Sequence, residues 1–430
     1  MVATSGLGAR HKDIMPSWVA LNYEEPIALE RGEGRRVWDT EGNVYLDFFG
    51  GILTTMSGHG VPEVVDAIKD QASRILHSST LYLIKPAIEL AEKIAELSPI
   101  EGAKVFFVTS GTEANEAALL LAATRRRSNQ IIALRNSYHG RSFAAMGATG
   151  IRGWSASSLS PFHVSYVHGG YRYRSPFGHL PEREFIAACA DDLRDIIETT
   201  TAGDVACMIA EPIQGVGGFA IPPDGFFAAM KDVLDEYGIL FVSDEVQTGW
   251  GRTGDHFWGI DAHGVTPDIM TFAKGIGNGL SLAGVIAPAE IMDGIKANSI
   301  STFGGNPLAA AAGLANLNYV LDNDLQTNAR KVGEHLLGRL SELPEHHAVV
   351  GEVRGRGLML AIELVQPGTK EPNRQAALDV MEATKKRGLL VGKGGFYNNV
   401  VRIAPPLSLT LEEADEGCDK LADAVASVSR

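Results

Sequence analysis

Cysteine is scarce in this chain: three in 430 residues, Cys189, Cys207 and Cys418, with no CxxC spacing. So small and scattered a set excludes a disulfide framework and reads as reduced core thiols. The twelve histidines contain no HExxH pair, and no metal-centred mechanism is expected. No GxxxxGK[ST] loop occurs, so any phosphate this chain binds is not expected to be that of ATP. Gly275-Ile276-Gly277-Asn278-Gly279-Leu280 approaches a dinucleotide loop, but the register fails at Leu280 and no helix opens there. Gly392-Lys393-Gly394-Gly395 reads as a flexible loop. No apolar run approaches the roughly 18 residues of a membrane-spanning helix. Met1 to Ile14 carries no apolar signal core, and the expected compartment is the cytosol. Positive charge is the minority sign, 38 Lys and Arg against 52 Asp and Glu, for a formal net charge of −14. That balance argues against nucleic acid or an anionic membrane as the default partner. Internal repeats and low-complexity stretches are absent.

What remains is a long chain, 45% hydrophobic, able to bury a large core and expected to form two unequal domains. Residues 1–22 look like a loose arm, and Val37–Phe49 reads as strand, turn, strand. From Pro62 to Thr302 short apolar strands alternate with helical stretches. The strands are Val105–Thr109, Ile131–Leu134, Ala206–Ala210, Ile239–Ser243, Ile269–Ala273 and Ala283–Ala287, spaced for helical crossovers in a mostly parallel sheet. Phe162–His179 reads as a long irregular loop. Beyond Pro307 come a helix to Asp322, a helix over Leu325–Leu343, a strand over Gly357–Val365 and a helix over Arg374–Arg387. Strands at Leu389–Val391 and Val400–Ile403 and a final helix complete the chain.

Two of these strands end abruptly in charge, Leu240–Ser243 at Asp244 and Thr271–Ala273 at Lys274. The two ends lie about 30 residues apart, the length of one strand–crossover–strand unit. Ligands of an open α/β sheet sit beyond the carboxyl ends of its strands, so both side chains can meet over one ligand. A carboxylate and an amine so placed suit pyridoxal phosphate: the amine takes the aldehyde as a Schiff base, and the acid keeps the ring nitrogen protonated. The pair alone does not decide it. An aspartate after an apolar run also reads as a Walker B strand, and a strand-end lysine is usually just solvated.

Val105-Phe106-Phe107-Val108-Thr109 breaks at Ser110-Gly111-Thr112 and passes directly into an Ala/Glu/Leu-rich helix. Such a helix start offers free N–H groups and the positive end of the dipole to an anion, with two hydroxyls beside them. An ordinary Ser/Thr N-cap is the plainer reading. The glycine between the hydroxyls, where a phosphate must approach the backbone, favours phosphate.

Six motifs follow in order: Ser110-Gly111-Thr112-Glu113-Ala114-Asn115, Tyr138-His139-Gly140, Glu211-Pro212, Asp244-Glu245-Val246-Gln247-Thr248-Gly249, Lys274-Gly275 and Thr302-Phe303-Gly304-Gly305-Asn306-Pro307. With them the chain resembles the class III (ω-) aminotransferases of fold type I pyridoxal-phosphate enzymes. The resemblance runs from Tyr23 nearly to the C-terminus. Val246–Asn278 is most similar to the alanine–glyoxylate type, and His139-Gly140-Arg141 to the 4-aminobutyrate type. The resemblance implies an α/β fold: an arm and small-domain segment over 1–60, a mostly parallel large domain binding pyridoxal phosphate over 61–306, and a smaller α+β C-terminal domain over 307–430.

It also implies roles. Lys274 matches the Schiff-base lysine that moves the proton between Cα and C4′, and Asp244 the partner of the pyridine nitrogen. Val246 matches the residue behind the ring, Gln247 the one near the ring hydroxyl, and Tyr138 the stacking aromatic; His139 receives no role. Ser110, Gly111 and Thr112 match the phosphate cup. Thr302 matches a threonine reaching the phosphate of the neighbouring subunit, which implies a homodimer or a multiple of dimers. Arg402 matches the arginine that grips an α-carboxylate. Glu211 matches the switch that pairs with that arginine when the donor has no α-carboxylate. Arg141 matches a clamp for a distal carboxylate, or is an ordinary loop arginine. Ile52 and Phe49 would line the apolar side. The implied reaction moves an amino group from an ω-amino acid or amine to a 2-oxo acid. A racemase or epimerase of the same family shares these motifs and stays open.

Overall fold

The computed structural model describes residues 4–429. Three sheets organise it. The strands β1 (Leu29–Glu33), β2 (Arg36–Asp39) and β3 (Val44–Asp47) open the first. The second holds β4 (Ala103–Val108), β5 (Gln130–Leu134), β6 (His163–Val167), β7 (Cys207–Ala210), β8 (Leu240–Asp244), β9 (Ile269–Phe272) and β10 (Ala283–Pro288). Toward the C-terminus come β11 (Val350–Arg356), β12 (Met359–Leu364), β13 (Leu389–Leu390), β14 (Gly392–Gly394) and β15 (Val400–Ile403). β13 pairs with β3 in the first sheet, and the other four form the third in the order β11-β12-β15-β14.

The central sheet runs β4-β10-β9-β8-β7-β5-β6. Only β10 is antiparallel to its neighbours. The fold is that of an α/β protein with a mostly parallel sheet, as read from the sequence. Its inner strands are apolar on both faces because helices cover both; every residue of β7 and β9 is buried. Each large side chain taken fully out of water there contributes about 1.5–3 kcal/mol. Phe227, Phe241, Phe272, Trp250 and Trp258 are all buried in one hydrophobic core.

Register places the charged ends in a row. Ala210 of β7 lies opposite Ser243, and Asp244 of β8 lies opposite Thr271 of β9. Glu211, Asp244 and Lys274 therefore emerge at one edge, beyond the carboxyl ends of three adjacent parallel strands.

Several local expectations change. Residues 1–3 of the loose arm lie outside the described residues, and Thr4–Ile14 is a helix. With two glycines and little apolar periodicity, it gives no signal in the sequence. The irregular loop 162–179 begins as strand β6, and Gly392–Gly394 is a strand rather than a flexible loop. Cys189, Cys207 and Cys418 are free and buried.

Candidate active site

A cavity of about 310 Å³ opens at that edge of the sheet. Its wall carries Ser110, Gly111, Thr112, Tyr138, Glu211, Asp244, Val246, Gln247 and Lys274, nine of the positions singled out in the sequence. Asn115 and His139 join them.

Asp244 is buried, and donors converge on it. His139 Nδ1 lies 2.7 Å and Asn115 Nδ2 2.8 Å from Oδ2, and the Val246 N–H donates to Oδ1 at 3.1 Å. Asn115 in turn donates to the His139 carbonyl (2.7 Å) and accepts from Thr271 Oγ1 (2.7 Å). The carboxylate thus has one orientation. Against an ionised Asp244 the proton of His139 sits on Nδ1. Its Nε2 is buried with no partner. Sequence reasoning gave His139 and Asn115 no role, although both lie inside the quoted motifs. The missing signal was distance, since they stand 105 and 129 residues before Asp244.

Lys274 has φ +49, in the left-handed region that non-glycine residues rarely occupy. Burial pushes its amine down to about 8, against the opposing pull of the Asp244 and Glu211 carboxylates. Such an amine is uncharged far more often near neutrality than an exposed one.

The helix Gly111–Arg126 starts at the cavity. Ser110 is its N-cap, accepting from the Glu113 N–H at 3.2 Å. The N–H groups of Gly111 and Thr112, first in the helix, have no intrahelical acceptor. The plain capping reading and the anion reading of this turn therefore coexist: the hydroxyl caps while the backbone donors stay available. Across the cavity Gly140 sits at φ +142, where a Cβ would press to 2.6 Å from Thr112 Oγ1.

Glu211 is fully buried. Its Oε1 accepts the Tyr138 N–H (2.9 Å) and its Oε2 the Gly215 N–H (2.8 Å). Burial raises this carboxyl to about 7, with the Asp244 charge adding to it. Arg402 is also buried and lowered by burial to about 10. It donates Nε to the Lys393 carbonyl (2.9 Å) and Nη1 to the Gly215 carbonyl (3.1 Å), with the rings of Phe49 and Phe219 at 5.0 and 5.5 Å. No ion pair joins Arg402 to Glu211.

Five positions lie off the cavity wall, Phe49 among them, its ring against the Arg402 guanidinium. Arg141 is exposed, its guanidinium 5.3 Å from the Trp18 ring. Ile52 is 47% exposed on a left-handed turn that includes Gly50, Gly51 and Leu53. Thr302 is exposed, and Arg402 is buried off the wall, near enough to Glu211 to feel its charge. No cluster of three or more His, Cys, Asp or Glu suited to a metal occurs among the described residues.

The family model for aminotransferase class III matches residues 19–425. The chain belongs to the class III aminotransferases. It is 41% identical to the mitochondrial alanine–glyoxylate aminotransferase 2 homolog 2 of Arabidopsis thaliana, over 95% of this chain and 84% of that one. It is 37% identical to a leucine/methionine racemase of Thermococcus litoralis, over 97% and 95%. An amine transaminase from an uncultivated Pseudomonas species, solved in its pyridoxal-phosphate-bound form, superposes with a TM-score of 0.90 at 32% identity, covering 96% and 98%.

As a class III aminotransferase, the chain uses pyridoxal phosphate, and the cavity fits it. The donor set has the required chemistry: a helix start for the phosphate, a fixed carboxylate for the pyridine nitrogen and a buried amine for the aldehyde. The Gln247 side-chain oxygen on the same wall is buried without a partner, a polar group that a ligand would satisfy.

Proposed function

We propose that this aminotransferase takes an ω-amino acid or amine, of the 4-aminobutyrate or β-alanine type, as donor and a 2-oxo acid as acceptor in alternating half-reactions. The observation that carries this reading is Arg402. A buried guanidinium beside the cavity, held by two carbonyls rather than by a carboxylate, is a standing site for a substrate carboxylate. A donor with its amine at the far end of the molecule leaves Arg402 where it is, and an acceptor brings the α-carboxylate to it.

Bound pyridoxal phosphate supplies the electron-accepting ring and carries the amino group between half-reactions. Lys274 holds the cofactor and moves the proton, its amine kept neutral by burial. Asp244, fixed by His139 and Asn115, holds the pyridine nitrogen protonated. Tyr138, Val246 and Gln247, all on the cavity wall, would hold the cofactor ring, Tyr138 and Val246 by packing and Gln247 by a hydrogen bond. Gly111, Thr112 and Ser110 receive the phosphate. Arg141 is the clamp for a distal carboxylate, and Ile52 bounds the apolar side.

The same reading makes the enzyme a homodimer or a multiple of one, acting in the cytosol. Ile300 and Phe303, on either side of Thr302, are exposed apolar side chains, as are Leu81, Tyr82 and Leu83 (Leu83 to 92%), and such side chains suit contact with a second copy. A competent monomer in sedimentation and dilution assays would contradict it.

A racemase is the second reading, supported by the similarity to the leucine/methionine racemase. One experiment tests both. Amines and ω-amino acids are screened against pyruvate, glyoxylate and 2-oxoglutarate, alongside a chiral amino acid alone. Amino transfer that needs the acceptor supports the transaminase; inversion without any acceptor supports the racemase.

A further inference from the structure

Loop 211–220 carries more than Glu211. Its Gly215 carbonyl holds Arg402 Nη1, and its Phe219 ring flanks the same guanidinium. Phe219 is fully buried and has φ +50, a conformation that a phenylalanine does not adopt without outside support. The support is Arg354 on β11. Its Nε donates to the Gly218 and Phe219 carbonyls, both at 3.1 Å, and its Nη2 to the Gly218 carbonyl at 2.6 Å. Arg354 cannot swing away. It is buried, with Nη1 bound to Glu352 (2.5 Å) and Glu363 (2.9 Å), and Glu363 is further held by Tyr171, Arg174 and Asn399.

We infer that Phe219 is a specificity-determining residue, positioned by Arg354, that holds Arg402 ready for the α-carboxylate of a 2-oxo acid. This rests on the assignment of Arg402 as the carboxylate site. Aromatic faces attract a guanidinium without occupying its N–H groups. Arg402 Nη2 makes no hydrogen bond among the described residues, so a carboxylate can engage it without first displacing a protein carboxylate. An ion pair with Glu211 would instead have to be broken at every acceptor half-reaction. The Phe219 slot therefore acts on acceptors. Donors that carry no α-carboxylate do not use it.

The test compares the two half-reactions separately, each followed by cofactor absorbance in the holoenzyme, for Phe219→Leu, Arg354→Lys and Arg402→Ala. Arg354→Lys keeps the charge beside Glu352 and Glu363 but cannot span the two carbonyls. For Phe219→Leu, kcat/KM should fall about three- to thirtyfold with pyruvate and 2-oxoglutarate, the range of a cation–π contact. The half-reaction with an amine lacking an α-carboxylate should hold within about twofold. Arg354→Lys should show the same asymmetry to a smaller degree, and it decides the matter if Phe219→Leu does not fold. Equal losses in both half-reactions, or none in either, overturn the inference. If Arg402→Ala alone harms 2-oxo acids, the Arg402 assignment stands and the Phe219 slot falls. If Arg402→Ala spares them, both fall together.

Discussion

Arg402 and Glu211 are joined through one residue rather than to each other. The Gly215 N–H donates to Glu211 Oε2 at 2.8 Å, and the Gly215 carbonyl accepts from Arg402 Nη1 at 3.1 Å. The sequence resemblance implies a direct pair that opens for 2-oxo acids; here both groups are occupied by backbone. Glu211, raised to about 7 by burial, is also partly protonated near neutrality, which weakens its claim on the guanidinium.

Removing Arg402 therefore has a selective consequence. Arg402→Ala should raise KM for pyruvate, glyoxylate and 2-oxoglutarate alike, since each brings an α-carboxylate. Losing one charge-assisted contact costs about 1.5–3 kcal/mol, roughly ten- to a hundredfold. Steady-state kinetics on the three acceptors checks this, and a loss confined to 2-oxoglutarate would contradict it.

The buried amine of Lys274 gives a pH prediction. Its ordinary value of 10.5 is lowered to about 8. The neutral form is the nucleophile, so uptake of pyridoxal phosphate by the cofactor-free protein should quicken about tenfold per pH unit below 8 and level off above it. A rise continuing past pH 10 would mean an unperturbed lysine. Lys274→Ala should show no such uptake phase and almost no turnover, while keeping its thermal unfolding transition.

The positions legible in the sequence were those where a buried strand stops at charge. β8 and β9 are mainly apolar, buried runs that stop at charge, so Asp244 and Lys274 stand out, and the helix start at Ser110-Gly111-Thr112 declares itself by its glycine. Each strand that went unread, β1, β6, β11 and β14, lies at the edge of its sheet. An edge strand is covered on fewer sides and tolerates Gly, Arg and Glu, as in Leu29-Glu30-Arg31-Gly32-Glu33 and Gly392-Lys393-Gly394, so its apolar pattern fades. Within the site, the hydrogen bonds from His139 and Asn115 that orient Asp244 went unread because they join residues far apart in the chain. No local pattern encodes such a contact.

Those bonds carry the third prediction. Asp244→Asn should retain the cofactor and lose most of the rate of proton removal at Cα, because a neutral amide cannot hold the pyridine nitrogen protonated. His139→Ala should give a smaller loss in the same step, since Asp244 keeps Asn115 and the Val246 N–H but gains freedom to turn. A primary isotope effect with Cα-deuterated donor separates this step from binding. A normal rate of proton removal in Asp244→Asn would count against the assignment.

The last prediction concerns the far end of the substrate. Arg141 is exposed at the end of the Tyr138-His139-Gly140 turn, its N–H 3.3 Å from Thr112 Oγ1 and its guanidinium 5.3 Å from Trp18, and no carboxylate among the described residues pairs with it. An arginine left without a protein anion beside the site is available to a substrate anion. As a clamp for a distal carboxylate it would act on dicarboxylates and on ω-amino acids with a distal carboxylate. Arg141→Ala should therefore penalise 2-oxoglutarate and 4-aminobutyrate roughly ten- to a hundredfold while sparing pyruvate and simple amines. Exposure and screening put the effect at the lower end, and raising the salt concentration should shrink it further. Parallel kinetics with pyruvate and 2-oxoglutarate decide it. Equal losses on both acceptors would show that Arg141 supports the loop rather than the substrate.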